Sequence, residues 1–333
     1  MRGRRQRHNA VDMSGLAWPA LVFVEGLPGS GKSTTAQWIA HEMEVRGRPS
    51  RWIYEEEMPH PVLGTMSGPY TSWKELLTRR LSGWANFAAA VRASKAVTVV
   101  DSTFLQSSVA SMLRRNLEPD TILTYIERVA DLVQPLDPAL VYFFESDSDT
   151  AFRRICDRRG MAWTLHHISA SDGMAWATAR GLSGFDGLLA YWREHGRVCD
   201  AAVSCSRLRT LTVRSPIGDW TARRHLIAQF LGLPWPPSAA PSETDLARFV
   251  GLYRSETGRQ GRLSVRDDAL VIEGLLWWRS RLLPRAHGVF DVESWPFRLT
   301  FEADTTGMVS RFRLDGPDLA GSRLSGAYDR LAS

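Results

Sequence analysis

The chain has 333 residues, of which 44% are hydrophobic and 23% are charged, and its formal net charge is +5. This composition is ordinary for a globular protein, and the length suits two domains. No apolar run approaches the roughly 18 residues that a membrane-spanning helix needs, so we expect no membrane partner.

Residues 1–17 are predicted to be a disordered basic tail, because four arginines occur here without an apolar segment behind them. Without these arginines the net charge falls to about +1, so we expect no nucleic-acid partner. The cysteines lack metal-ligand spacing, which indicates a reducing, cytoplasmic location and no disulfide framework. They are Cys156, Cys199 and Cys205.

The most informative segment begins with apolar residues 21–24, which predict a β-strand. The strand leads into G-x-x-x-x-G-K-S and then a helical pattern, which is the setting of a P-loop. Glycines in such a loop turn backbone N–H groups towards phosphate, and the helix directs its positive end to the same place. We therefore expect ATP or GTP to bind at Gly26, Pro28, Gly29, Ser30, Gly31, Lys32, Ser33 and Thr34.

Two side chains of the loop have specific expected roles. Lys32 is predicted to reach the β- and γ-phosphates and is a candidate catalytic residue. The Ser33 hydroxyl is predicted to hold Mg²⁺.

Apolar strands alternate with helical patterns after the loop. Strands are predicted over 51–54, 96–101, 139–145 and 209–213. Helices are predicted over 34–46, 73–95, 107–116, 121–133, 185–195 and 220–231, with another around 151–155. This alternation predicts an α/β fold over residues 18–232, with a P-loop kinase-like parallel sheet covered by helices.

Acidic side chains end two of the predicted strands. Glu55, Glu56 and Glu57 follow the second strand, and Asp101 ends the third. Ligands of parallel sheets bind at the carboxyl ends of the strands, so these acids are expected beside the P-loop. Phosphoryl transfer uses a carboxylate for Mg²⁺ and often another as the base. Asp101 is predicted to serve one of these roles, and one glutamate of the run the other.

An arginine-rich run follows the strand predicted over 139–145. Arg153, Arg154, Arg158 and Arg159 lie within seven positions and open into Gly160. Such a run suits a lid whose guanidinium groups close on the transferred phosphate, and Arg154 and Arg158 are candidate catalytic residues. An exposed helix face is the alternative interpretation.

A second domain is predicted after residue 232. Residues 233–242 are rich in Pro, Ala and Ser and predict a stiff linker that crosses no hydrophobic interface. Residues 243–333 predict a small β-domain, a curled sheet or partial barrel. Its expected strands cover 261–265, 269–273, 279–283, 289–292, 297–301 and 308–314.

Together, the strand followed by E-G-x-P-G-S-G-K-S-T, the acids and the arginine run resemble the deoxynucleoside and thymidylate kinase group. The resemblance implies that the base lies among residues 55–57, with Glu55 the best match. The arginine that this group carries after the third-strand acid is missing here, since Ser102 and Thr103 follow Asp101. Antibiotic phosphotransferases such as chloramphenicol phosphotransferase share this core. The C-terminal segment resembles a small β-domain appended to some serine-hydrolase-like proteins.

These observations predict a phosphotransferase that moves the γ-phosphoryl group of ATP or GTP to a hydroxyl of a small molecule. A nucleoside, a nucleoside-like antibiotic or a sugar-bearing metabolite would fit as the acceptor. If the acceptor is an antibiotic, its phosphorylation would confer antibiotic resistance. One alternative is a nucleoside monophosphate kinase. The other is a P-loop regulatory switch with a protein-binding β-domain, although the N-K-x-D motif of GTPases does not occur. The oligomeric state is left open.

Overall fold

The computed structural model describes residues 18–64, 72–214, 219–237, 245–276 and 279–331. The predicted tail and residues 238–242 of the predicted linker lie outside the described residues. Among the described helices, none is long and apolar enough to cross a membrane.

The first part of the chain forms a five-stranded parallel sheet, as predicted from the alternating pattern. Its strands are β1 (Leu21–Gly26), β2 (Ser50–Ile53), β4 (Val97–Asp101), β5 (Ala139–Phe143) and β6 (Arg209–Val213), and the short β3 (Glu57–Met58) lies outside it. The spatial order is β2-β4-β1-β5-β6, so the strand that leads into the P-loop lies in the centre.

Helices cover both faces of this sheet. They are α1 (Lys32–Val45), α2 (Trp73–Ala93), α3 (Ser108–Leu113), α4 (Pro119–Val133), α5 (Ser148–Arg159), α6 (Met161–Asp172), α7 (Ala175–Thr178), α8 (Gly184–Cys205) and α9 (Trp220–Leu231). Alternate residues of β1 point to opposite faces, as strand geometry requires. Leu21 and Phe23 belong to one apolar cluster, and Val22 and Val24 belong to the other.

This domain differs from the predicted elements in several places. Helix α8 continues to Cys205, beyond the predicted end at residue 195, and the short β3 was not predicted. A π-helical turn, Thr103–Ser107, precedes α3, whereas a regular helix was expected from residue 107. Helices α6 and α7 were not predicted, because α6 has no strong apolar face and α7 is a single short turn. Both follow the arginine run that was expected to form a lid.

The C-terminal part forms a closed antiparallel barrel of eight strands in the described residues. They are β7 (Gly251–Ser255), β8 (Gln260–Arg266), β9 (Ala269–Glu273), β10 (Ser280–Ala286), β11 (Val289–Val292), β12 (Arg298–Ala303), β13 (Val309–Asp315) and β15 (Gly326–Arg330). The two-residue β14 (Asp318–Leu319) is separate. Aromatic side chains fill the interior, including Phe249, Tyr253, Phe290, Phe312 and Tyr328.

The barrel packs directly on the α/β domain. Tyr54 belongs to the apolar core of the barrel, and Trp52 packs against the same core. Strand β14 pairs with β3 in an antiparallel ladder. The two domains thus share a hydrophobic interface, contrary to the expectation that the linker crosses none. Residues of the β2–β3 segment, which lie far from the linker in the sequence, supply the apolar contacts.

Candidate functional site

The P-loop backbone adopts conformations that favour glycine. Gly29 and Gly31 have φ of 76° and 96°, in the region that favours glycine. A Cβ on Gly26 would lie 2.8 Å from the carbonyl oxygen of Phe143, and one on Gly29 would overlap Ile155. The loop is therefore held tightly between β5 and α5. Pro28, at the tip of the loop, is half-buried.

Helix α1 begins at Lys32, so its N-terminus faces the loop. The Lys32 Nζ is buried and donates a hydrogen bond of 2.9 Å to the carbonyl oxygen of Leu27. Burial lowers the pKa of Lys32, whereas the nearby carboxylates of Glu55, Asp101 and Glu25 raise it. One ammonium group thus lies among three acids at the mouth of the loop.

Asp101 and Ser33 lie together at the end of β4. One carboxylate oxygen of Asp101 accepts a hydrogen bond of 2.6 Å from the Ser102 hydroxyl, and the polar side chains of Ser102 and Ser33 lower the pKa of this carboxyl. Burial raises the pKa of Asp101, whereas Lys32 lowers it. The Asp101 Oδ2 atom is buried and accepts no hydrogen bond from the described residues.

This pair fits a Mg²⁺ site of the P-loop type. Mg²⁺ prefers oxygen ligands and usually binds through one or two carboxylates together with substrate phosphates and water. In the described part of the chain, no group of three or more His, Cys, Asp or Glu side chains could hold a metal ion. The unpartnered oxygen of Asp101 and the hydroxyl of Ser33 would therefore supply the protein ligands.

The three adjacent glutamates have different surroundings. Glu55 accepts a hydrogen bond of 2.8 Å from the Gln106 side-chain amide. Burial and the charge of Asp101 raise the pKa of Glu55 to about 8, whereas Lys32 lowers it. Glu57 instead forms an ion pair of 2.9 Å with Arg51. The side chain of Glu56 is exposed, so Glu55 is the glutamate that faces Lys32 and Asp101.

Two functional candidates escaped the sequence analysis as individual residues. The first is Glu25, whose carboxylate accepts hydrogen bonds from the backbone N–H groups of Phe104 at 2.7 Å and Gln106 at 3.0 Å. Burial raises the pKa of Glu25 to about 7, whereas backbone hydrogen bonds, including the one from Gln106, lower it. An acid in the otherwise apolar β1 was the available signal.

The second is Gln106 itself, in the π-helical turn. Its carbonyl accepts a hydrogen bond of 3.0 Å from the buried His195 ring, while its side chain orients Glu55. The Gln106 Oε1 atom is buried without a partner among the described residues. No sequence pattern indicated this residue, because its position depends on the π-helical geometry.

The arginines of the predicted lid have different surroundings. Arg154 is exposed; hydrogen bonds from Thr150 and the charge of Arg154 lower the pKa of Asp147. Arg158 is exposed beside the loop, with a guanidinium nitrogen 3.4 Å from the position of a Cβ on Gly29.

Arg159 is the arginine of this run that faces the acids. Burial lowers its pKa, and the charge of Glu55 raises it. Its guanidinium lies over the ring of Trp163, 4.9 Å from the centroid. Gly160, with φ of 87°, separates α5 from α6 at this point.

Two other loop residues contact neighbouring elements. The Thr34 hydroxyl lies 2.6 Å from the Ser294 hydroxyl of the barrel, in a hydrogen bond to which either can donate. Arg223 of α9 donates to the carbonyl oxygen of Ser30 at 3.2 Å. The Ser30 hydroxyl has no partner among the described residues.

Comparisons with known proteins add little. No protein-family model matches this chain, and a search of curated proteins finds no match. Among solved structures, YorR from Bacillus subtilis, in complex with phosphorylated GDP, is 15% identical over 63% of this chain and 92% of its own, with a TM-score of 0.34. Signal recognition particle 54 kDa protein from Aeropyrum pernix K1, in complex with GDP, is 18% identical over 65% of this chain and 47% of its own, with a TM-score of 0.25. At these TM-scores, neither structure shows that its fold or its function is shared by this chain.

The assignment of a P-loop to this chain therefore rests on the geometry of the chain itself. A central strand, a glycine loop and the N-terminus of α1 converge on Lys32, with Ser33 and Asp101 beside it. This is the arrangement of a P-loop nucleotide-binding fold.

Proposed function

We propose that the protein transfers the γ-phosphoryl group of ATP or GTP to a hydroxyl group of a small molecule. The observation that carries the proposal is the position of Glu55, a second carboxylate that faces Lys32 beside Asp101. A P-loop site needs one carboxylate on the metal side, and a further one suits a base for an acceptor hydroxyl.

In this reaction the acceptor oxygen forms a bond to the γ-phosphorus, and the bond between that phosphorus and the β–γ bridging oxygen breaks. The hydroxyl proton passes to the carboxylate of Glu55, which Gln106 holds through a hydrogen bond of 2.8 Å. A base is most effective when its pKa lies near the working pH, and the raised pKa of Glu55 meets this condition.

The remaining residues bind and neutralise phosphate. Lys32 exchanges its hydrogen bond with Leu27 for the β- and γ-phosphates, and the backbone N–H groups of the loop hold the same oxygens. Ser33 and Asp101 would hold Mg²⁺, whose positive charge would neutralise the phosphates. Arg159 is the lid arginine best placed for the transferred group, and Arg158 lies close to the loop.

Three classes of acceptor fit this reaction, namely a nucleoside, a nucleoside-like antibiotic and a sugar-bearing metabolite. A nucleoside monophosphate kinase would use the same loop and the same carboxylates. A regulatory switch would need no base for an acceptor hydroxyl, so the position of Glu55 favours transfer over slow hydrolysis.

A labelled-nucleotide screen tests this proposal. The full chain is incubated with Mg²⁺ and γ-labelled ATP or GTP, with panels of nucleosides, nucleoside monophosphates, antibiotics and sugars. We expect label on one acceptor class, in equal amount to the nucleoside diphosphate formed, and none with Lys32→Ala. Nucleoside diphosphate that forms at the same rate without acceptor, with label only in inorganic phosphate, would contradict transfer.

A further inference from the structure

The barrel contacts both chain segments that carry the proposed site. On α1, the Gln37 side-chain amide donates to the carbonyl oxygens of Val292 at 2.8 Å and Trp295 at 3.2 Å. The Gln37 Oε1 atom accepts a hydrogen bond of 3.0 Å from the backbone N–H of Ser294. Together with the bond between Thr34 and Ser294, these contacts attach the barrel to the first turns of the P-loop helix.

The second attachment lies around Glu55. On its N-terminal side, the buried ring of Tyr54 packs against Trp295, with 5.7 Å between ring centroids. On its C-terminal side, the carbonyl oxygen of Glu56 accepts a hydrogen bond of 3.0 Å from Ala320, and β3 pairs with β14. The barrel therefore holds the backbone on both sides of Glu55.

The α/β domain provides less support for this segment by itself. Strand β2 ends at Ile53, so residue 55 lies outside the parallel sheet. Within the domain, Glu55 accepts a hydrogen bond from Gln106, which is distant in the sequence. The other hydrogen bonds are local to residues 51–57, where the Glu57 N–H donates to the carbonyl of Tyr54 and the Glu57 carboxylate accepts from Arg51 and from the Tyr54 N–H. A base that is displaced by about 1 Å can lose about 10²-fold in rate, so the fixed position of this backbone matters for transfer.

We propose that the barrel is a positioning element of the active site, which holds Glu55 at a fixed place relative to the P-loop. This inference rests on the proposed function for the role of Glu55. The anchoring itself rests on the contacts of β14 and the 292–295 turn. Ala320, Gln37 and Ser294 act through Glu55 and the P-loop helix, and they are positioning residues.

Ala320 allows a specific test. It is the second residue of a turn in which Ser322 N–H donates to the Leu319 carbonyl at 2.9 Å, and Gly321 follows with φ of 76°. This geometry fits a type II turn, in which proline is common at the second position. Ala320→Pro therefore removes the N–H that binds Glu56 while it keeps the turn, and Ala320→Ser keeps both.

Three quantities are measured on the full chain for both variants. They are the hydrogen-exchange rates of the backbone amides of residues 54–58, the affinity for Mg²⁺ with ATP or GTP, and the transfer rate with the acceptor found in the screen. For Ala320→Pro we expect exchange at least about tenfold faster, nucleotide affinity within about twofold, and kcat lower by about tenfold or more. Ala320→Ser should match the wild type in all three.

A second variant covers the possibility that Ala320→Pro folds poorly. Gln37→Leu removes the side-chain bonds to the 292–295 turn, and Gln229→Leu, at an exposed position of α9, is its matched control. We expect Gln37→Leu to increase exchange in both 54–58 and the 292–295 turn.

Unchanged exchange in 54–58 in the folded variants, or faster exchange with an unchanged transfer rate, would overturn the inference. Absence of transfer by the wild type would refute the proposed function instead. In that case the exchange rates still decide whether the barrel anchors residues 54–58.

Discussion

At the scale of single residues, the site contains more acidic than basic side chains. Glu25, Glu55 and Asp101 surround Lys32, and burial raises the pKa of each acid. Even with the Arg159 guanidinium nearby, three ionised carboxylates beside one ammonium would leave uncompensated negative charge in a poorly solvated place. A divalent cation at Asp101 would relieve this imbalance, so the same arrangement that favours protonated acids would also favour Mg²⁺.

The role of Asp101 is tested by Asp101→Asn, which keeps the shape of the side chain and the acceptor for Ser102. We expect kcat to fall by about 10²-fold or more and the Mg²⁺ concentration for half-maximal rate to rise, because a charged oxygen ligand is lost. Transfer rates over a Mg²⁺ titration measure both effects. If rate and Mg²⁺ dependence stay at wild-type values, Asp101 does not bind the metal ion.

At the scale of elements, the P-loop depends on the helix that packs against it. Gly29 contacts Ile155 of α5 so closely that a Cβ has no room, and its φ is 76°. Gly47, after α1, has the same φ of 76° but no atom within 4 Å of a Cβ. Substitution of each glycine by alanine therefore distinguishes the effect of backbone strain, which both variants have, from the effect of a close contact, which only the Gly29 variant has.

For Gly29→Ala we expect an affinity for Mg²⁺ with ATP or GTP at least about tenfold weaker than the wild type. The added methyl group forces the loop away from α5 in addition to the backbone strain, of order 1 kcal/mol, that both variants share. Gly47→Ala should lose stability but keep the wild-type affinity. Calorimetric titration with nucleotide measures the affinity, and equal affinities of the two variants would contradict the account.

Most elements could be predicted because their apolar patterns are local. The α/β strands and the barrel strands β8 to β13 lie within a few residues of the predicted positions. Strands β7 and β15 were missed, because each has one fully buried residue, Tyr253 or Tyr328, and shows little alternation. The positions of Gln106 and Arg159 depend on the π-helical turn and on the end of α5, which local patterns do not determine.

At the scale of the whole molecule, the barrel and the α/β domain share a core. The expectation of a linker that crosses no hydrophobic interface considered only the composition of residues 233–242. Removal of the barrel would expose Tyr54, which is buried, and Trp52 beside it. The interface could not be predicted from the sequence, because its contacts join residues more than 200 positions apart.

Buried histidines make stability of the whole chain depend on pH. The His60 Nδ1 atom accepts hydrogen bonds from the N–H groups of Val62 and Leu63, and its Nε2 bonds to Thr103. Burial lowers the pKa of His60 to about 4. The folded-state pKa lies below the unfolded value of about 6.5, so this contribution is present above pH 6.5 and is lost as pH falls towards 4.

His60→Asn keeps an acceptor for the two N–H groups but does not titrate. Between pH 7.5 and pH 5, we expect the wild type to lose about 2 kcal/mol more of its free energy of unfolding than this variant. Urea unfolding at the two pH values measures the difference, with His225→Asn, at an exposed position, as the control. An equal loss in the wild type and in His60→Asn would show that His60 does not contribute.

The central claim is that Glu55 accepts the proton of the attacking hydroxyl, and the pH dependence of kcat/KM tests it most directly. With the acceptor found in the screen, wild-type kcat/KM should rise with pH through about 8, as Glu55 loses its proton. Glu55→Gln should lower kcat/KM at pH 9 by about 10²-fold or more and remove the rising limb. If Glu55→Gln keeps both the wild-type rate and the rising limb, Glu55 is not the base and the claim is wrong.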